Sequence, residues 1–340
     1  MRKGRNVGTE VFPSPPPALF KKSGIFLRIQ LYSPADKFFY LPTCVRNKAF
    51  YENLLSGDEI SMGIFFAFCC LACSALNDFL FKIFSGKKSS VGIFVSIVGI
   101  IWLAALCTLP VNLKTNLSAT VLWSIIGGTF SLTGNLLLIE SMKFQSAGIC
   151  STIYRLNLVA VVIGASLLLG ESLAPHQYLG VAAAVGAVFC FFSFEKSGNK
   201  KAVLGLLLAL SASLLRAGMG LSYKYGIMQG ADANGISIGT SFFWVFGGIL
   251  YCLLRKEPIR ASLNKTMLLT GSISGIFVAG IVFFMASALK YGDASIVLTI
   301  SQMSFLGTLT LSVIFLKEKL SLRKITGMLC GIAAILLLCL

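Results

Sequence analysis

The chain has 340 residues, 56% of them apolar and only 12% charged, with a mean hydropathy of +0.84, whereas a soluble domain carries about 25% charged residues. Its charges gather in short clusters (Lys87-Lys88, Lys200-Lys201, Arg255-Lys256, Lys317 to Lys324) and cannot cover a water-facing surface, so an ordinary soluble enzyme or binding module is excluded. The net charge of +16 does not point to nucleic acid either, because the basic clusters bracket apolar stretches of about 20 residues, the length that crosses a bilayer.

Residues 1–59 form a basic tail with the run Pro13-Ser14-Pro15-Pro16-Pro17 and no long apolar stretch. A secretory signal would need an apolar core soon after its basic start, and Met1 to Arg5 leads instead into Gly, Thr, Glu and prolines. The tail reads either as a disordered extension or as the product of a start codon placed too early, since Met62 opens the first apolar span.

Ten spans follow: Ile60–Phe84, Val91–Leu109, Ala119–Ile139, Ala147–Leu169, Pro175–Phe194, Ala202–Gly226, Gly235–Leu254, Met267–Leu289, Ala294–Leu316 and Ser321–Leu340. In hydrocarbon, backbone polar groups must bond within their own segment, so these long runs are expected to be uninterrupted helices. Gly180 with Ala184, and Gly327 with Gly331, place small residues four apart on one helical face, a pattern for close helix association in lipid. Trp102, Trp123 and Trp244 read as lipid-facing or interfacial anchors.

The chain also repeats itself. Shifting residues 143–190 by 147 places Lys143 on Lys290, Ala147 on Ala294, Leu169 on Leu316, Glu171 on Glu318 and Gly180 on Gly327. A weaker match places Ala75 and Lys82 on Ala217 and Lys224. The expected architecture is an all-α membrane protein of ten transmembrane helices in two five-helix repeats, residues 60–195 and 202–340. Because five is odd, the second repeat enters the membrane inverted, the usual construction of a secondary transporter.

The passage Leu168-Leu169-Gly170-Glu171-Ser172-Leu173 with Gly180, recurring as Phe315-Leu316-Lys317-Glu318-Lys319-Leu320 with Gly327, resembles the drug/metabolite transporter superfamily and its EamA-like branch. The resemblance covers residues 60–340 and implies a carrier of small organic solutes, with Lys317 in place of the expected glycine in the second copy. On their own physics, Glu171 and Glu318 each follow a long apolar helix, where a carboxylate can cap the N-terminus of the next helix.

Ionisable residues inside a span are costly and carry the functional expectation. Glu140 lies three residues from Lys143 and reads as half of an interfacial ion pair. Arg155 lies eight residues into its span, about 12 Å down a helix and near the midplane. Under the repeat it matches Gln302, while Tyr154 and Asn157 match Ser301 and Ser304, so both halves present polar side chains at one depth, facing a shared substrate cavity. The competing reading is that Arg155 pairs with a buried acid to hold the bundle together.

Asp78 and Arg216 occupy comparable places in spans one and six and are expected to approach each other, with Asp78 the candidate for proton coupling and a static ion pair the alternative. Asn77 and Asn135 are further cavity candidates. The set Cys69, Cys70 and Cys73 lacks companion ligands, and the one histidine, His176, sits in a loop, so no metal is expected. No Walker loop or soluble nucleotide domain is present, and no cofactor is expected.

The sequence therefore reads as a multi-pass carrier in the plasma or inner membrane, with a small-molecule solute and the bilayer as partners, exporting an amino acid or another zwitterionic or anionic metabolite. An intramembrane enzyme and a non-transporting scaffold are the rivals. Lys and Arg concentrate in the connections after spans one, three, five, seven and nine, which places those connections in the cytoplasm and both termini outside. The family resemblance implies both termini inside, the nine basic residues of the tail favour the same arrangement, and termini inside is the expectation kept.

Overall fold

A computed structural model describes residues 57–86, 89–108, 115–169, 173–194, 200–257, 263–292, 294–318 and 321–339. The readings of the tail before residue 57 and of Glu171 lie outside these residues. All regular structure among the described residues is helical: α1 (Gly57–Ser85), α2 (Val91–Leu106), α3 (Leu117–Ser141), α4 (Ala147–Arg155), α5 (Asn157–Leu169), α6 (Pro175–Phe194), α7 (Lys200–Met228), α8 (Ala233–Leu254), α9 (Lys265–Tyr291), α10 (Ala294–Gln302), α11 (Ser304–Leu316) and α12 (Leu322–Cys339). Among the described residues, seven helices are long and apolar enough to cross a membrane, with Ala147–Gly164 and Ile296–Leu316 each counted as one; Val91–Leu106, Pro175–Phe191 and Lys324–Cys339 are shorter apolar helices.

Local chemistry sets the helix starts. Ser90, Asn116, Asp232 and Asn264 each sit in an extended conformation, and their side chains accept from the N–H three residues on, at 3.1 Å (Ile93), 3.1 Å (Ala119), 2.7 Å (Gly235) and 2.8 Å (Met267). These are N-caps, satisfying donors that a helix cannot satisfy itself.

Two spans that the sequence reads as continuous are each interrupted once, at matching places. Leu156 separates α4 from α5 and Met303 separates α10 from α11, with φ/ψ of −70°/1° and −72°/3°. The N–H of Leu156 is shared between the Thr152 and Ile153 carbonyls, both at 3.2 Å, and that of Met303 between Thr299 and Ile300, at 3.3 and 3.1 Å. The turn tightens towards three-residue bonding, a recognised cause of a helix kink. Asn157 and Ser304, the residues that restart each helix, compete with the backbone for hydrogen bonds and so favour helix ends over interiors. The amides at the two breaks still find near neighbours, which is why the expectation of continuity fails without cost in lipid.

Helix contacts obey an exchange rule. α2 packs on α8 and α6 on α12; α3 packs on α7 and α9 on α1; α3 on α8 and α9 on α2; α1 runs along α10 and α11, and α7 along α4 and α5. Exchanging α1 to α6 with α7 to α12 leaves this set unchanged. Where a helix meets its own counterpart the two run antiparallel. Gly92 lies against Gly248 and Cys252 while Gly99 lies against Trp244 and Val245; Gly180 lies against Ala334 and Leu338 while Gly327 lies against Phe191.

These seams rest on small residues, as the spacing of Gly180/Ala184 led us to expect, whereas Gly331, four residues on from Gly327, meets Thr152 of α4. A Cβ on Gly180 would stand 2.8 Å from Cγ of Leu338, and one on Gly327 2.6 Å from the Phe191 ring. Trp102 and Trp244 correct the reading as lipid anchors. Both are buried, they meet edge to face at 5.6 Å across the α2–α8 seam, and Trp244 Nε1 donates to Ser131 Oγ at 2.9 Å. Trp244, buried with its N–H satisfied, is an interior residue, and Trp102 is buried against it with its Nε1 unpartnered among the described residues. Trp123 donates to Gln229 at 3.0 Å near the helix ends.

Candidate functional site

Asp78 projects from α1 and Arg155 from the last turn of α4, and the two meet. Arg155 Nη2 lies 3.2 Å from Asp78 Oδ2, with the residues 8% and 3% exposed. Ser151, one turn before Arg155 and on the same helix face, donates its hydroxyl to the same Oδ2 at 2.6 Å. The Arg155 guanidinium also lies 5.7 Å from the Tyr154 ring centre. Tyr154 in turn donates to Asn135 Oδ1 at 3.4 Å, and Asn135 Nδ2 donates to the Ser131 carbonyl at 2.8 Å. A polar chain thus runs from α1 through α4 into α3 and, by Ser131 and Trp244, to α8. Arg155 Nε is buried without a partner.

The expected approach of Asp78 to Arg216 does not occur: Asp78 is satisfied within the first half by Arg155 and Ser151. The reason is reach, since α1 lies beside α4 but is not a packed neighbour of α7. Arg216 is half-buried, and the thioether of Met219, 3.2 Å from its Nη1, is its hydrogen-bond partner. The remaining candidates occupy the second half, apart from Asn157 and Asn77. Gln302 is half-buried at the end of α10. Ser301 is buried and bonds its own helix, at the Val297 carbonyl 2.8 Å away. Ser304 is buried at the start of α11 with its hydroxyl unpartnered. Asn157 is buried at the start of α5, and Asn77 accepts from Ser274 of α9 at 2.6 Å.

Ser151 was missed by sequence reasoning. The signal was available: a hydroxyl four residues before a midplane arginine shares its face. A cavity of about 290 Å3 lies near the end of α1 and the start of α9, lined by Phe84, Ser89, Asn264, Thr266, Met267 and Thr270, none of which belongs to the polar chain.

The helix bundle is tied at its ends by charges on helix termini. Lys82 Nζ donates to the Met142 and Gln145 carbonyls, both at 2.6 Å, at the negative end of α3. Glu318 does not cap the helix that follows it, as expected from the sequence. Its Oε1 accepts from the Ala147 N–H at 3.0 Å and caps α4 in the other half. The need it meets is visible, because Ser146 provides no side-chain cap there. Replacing Glu318 by alanine should lower unfolding stability in detergent by about 1–2 kcal/mol, and by glutamine about half as much, since glutamine keeps an acceptor and loses the charge. A thermal unfolding series of the three proteins measures this. Glu140 and Lys143 form the expected pair at 2.7 Å, and Glu140 also accepts from Tyr251 at 3.1 Å.

The EamA-like transporter family model matches residues 61–193 and again residues 203–340. The chain belongs to the EamA-like transporter family. Members of this family are transporters rather than enzymes, and this one is a multi-pass membrane protein built from two EamA repeats. It is similar in fold to a solved structure described as "Crystal structure of protein", with 16% identity, a TM-score of 0.52, and 82% of this chain and 96% of that chain covered. No curated protein matches the chain.

Proposed function

We propose that this EamA-like transporter is a secondary carrier whose two halves, residues 60–195 and 202–340, are inverted five-helix repeats giving ten membrane-spanning helices. It exports a small organic solute by alternating access across the plasma or inner membrane. The observation that carries this reading is the antiparallel meeting of counterpart helices, α2 on α8 and α6 on α12. Two copies related in this way can exchange conformations, so that a centre open to one side becomes open to the other.

The matching breaks at Leu156 and Met303 support it, since each stands one residue beyond a midplane candidate, Arg155 or Gln302, and gives that half a place to bend. The bonding of Asp78 supports a coupling role. Protonating its carboxylate would discharge the Arg155 pair and leave the guanidinium free for solute, so a proton entering and a solute leaving exchange at one site. The basic connections gather at the end of the bundle where Glu318 meets Ala147 and Glu257 accepts from Ser90 at 2.6 Å. By the positive-inside rule we take that end as the cytoplasmic one, which puts both termini outside, against the arrangement that the family resemblance implies.

Untargeted comparison of metabolites inside and outside cells with and without the chain tests the carrier. At least one small organic solute should move outward with the wild type and not with Arg155→Gln. Unchanged profiles, or profiles indifferent to Arg155→Gln, Arg216→Gln and Asp78→Asn in proteins that reach the membrane, would favour the scaffold.

A further inference from the structure

The exchange rule does not extend to the contacts among α1, α3, α4 and α11. α1 packs on α3 and α4, and α4 on α11, whereas the pairs that exchange with these, α7 with α9 and α10, and α10 with α5, are not packed neighbours among the described residues. The extra contacts lie towards the end where α1 and α3 finish and α4 begins. Asp78 meets Arg155 and Ser151 on that side, and Gly148 lies against Leu309. The positions matching Asp78 and Arg155, by shifts of 142 and 147, are Gly220 and Gln302, so the repeat places no such ion pair at the opposite end.

Two charged side chains converge on the turn between α3 and α4. Lys82, in the last turn of α1, donates to the Met142 and Gln145 carbonyls, both at 2.6 Å, and Glu318, just past α11, accepts from the Ala147 N–H at 3.0 Å. α1 and α11 pack on each other, so together they grip residues 142–147 with a cation and a carboxylate. Each charge meets the helix terminus that suits it, the ammonium the carbonyls at the close of α3 and the carboxylate the first amide of α4. Lys317 aims the carboxylate. It stands in the left-handed region, with φ 52° and ψ 36°, a conformation unfavourable for a residue with a side chain, and it turns Glu318 away from its own helix. Lys82 and Glu318 are only half-buried, so water can take over when their bonds part, in contrast to Asp78 and Arg155, which are 3% and 8% exposed.

We propose that Lys82 and Glu318 form a latch on the α3–α4 turn, that the structure is the state shut at this end, and that release of the latch lets this end part while the opposite end closes. The inference rests on the carrier reading above for what opening and closing accomplish, and on the three bonds for the place of the latch. An equilibrium between two states shifts only through interactions that differ between them. Charge-assisted bonds that join α1 and α11 to the α3–α4 turn are made only while this end is shut, so they stabilise that state alone.

The test places pairs of spin labels across both ends of the full chain in lipid nanodiscs, with the native cysteines changed to alanine. Lys143→Cys with Ile314→Cys spans the latched end, and Lys290→Cys with Leu167→Cys, the positions related to them by 147, spans the other; all four residues are exposed. Double electron–electron resonance reads both distances. In Lys82→Met with Glu318→Gln the first distance should lengthen and the second shorten, with the ratio of the two populations changed about tenfold or more. Lys82→Arg, which keeps a charged donor, should retain the wild-type distances. Lys82→Met or Glu318→Gln alone should give the same reciprocal shift to a smaller extent, and serves where the double variant does not fold. A first distance that broadens while the second stays put, as the loss of a plain helix cap would give, or no change in either, would overturn the proposal. Reciprocal distances without any outward movement of solute by cells would leave the latch standing and remove the carrier; export of solute with distances unchanged in the variants would do the reverse.

Discussion

Replacing Asp78 by alanine should destabilise the protein by about 3–5 kcal/mol, because it leaves a buried guanidinium with no counter-charge. Arg155 is 8% exposed, so water cannot take over from the carboxylate, and Ser151, left with an unpaired hydroxyl, adds to the loss. Arg155→Leu alone should cost a comparable amount by stranding the carboxylate. The double variant Asp78→Ala with Arg155→Leu should recover most of the stability, since a buried pair replaced by apolar side chains is often neutral, and should still fail to transport. Thermal unfolding in detergent and solute flux in the same preparations separate the two effects. A stable double variant with normal flux would make the pair a structural bond and nothing more.

The second large effect is expected at the α2–α8 seam. A Cβ on Gly92 would overlap the Gly248 carbonyl oxygen and stand 2.8 Å from the Cys252 amide nitrogen, both backbone atoms that cannot rotate away. A hydrogen bond also crosses the seam, from Ser96 Oγ to the Val245 carbonyl at 2.9 Å, with the Gly92 carbonyl of its own helix 3.0 Å from the same hydroxyl. Gly92→Val must part the helices and forfeit the contact of Trp102 with Trp244, a cost of about 3 kcal/mol, the upper end for overpacking. Gly186 provides the control: nothing lies within 4 Å of its would-be Cβ. Gly186→Ala should be neutral or stabilising by up to about 1 kcal/mol, as for a glycine in a helix interior. Yield of folded protein and Tm distinguish the two variants; equal behaviour would mean that α2 and α8 do not meet at this point.

The fold was legible because hydrocarbon imposes a simple rule, and each apolar run of sufficient length had to become a helix. The repeat was legible because Glu171 and Glu318, or Gly180 and Gly327, are separated by one constant shift. The breaks at Leu156 and Met303 were not, since a single tightened turn leaves no gap in hydropathy. The tryptophans misled for a related reason: composition says that an indole favours an interface, but Trp244 is placed by what α8 packs on and by the Ser131 hydroxyl within its reach. Arg155 was picked out by its depth alone. Its partner was not, because the pseudo-symmetry that suggested Asp78 and Arg216 relates positions without saying which helices touch. Glu318 shows the same limit, for the helix terminus it serves is 171 residues away in the chain.

The most direct measurement uses Lys143 and Lys290, exposed residues at matching positions of the two repeats. Each is replaced by cysteine in a chain whose ten native cysteines are changed to alanine, and intact cells are treated with a membrane-impermeant maleimide before and after permeabilisation. The K290C protein should label in intact cells, and the K143C protein only once the cytoplasm is opened. Labelling of both from the same side would mean that the halves point the same way, and the inverted architecture with its alternating centre would have to be given up.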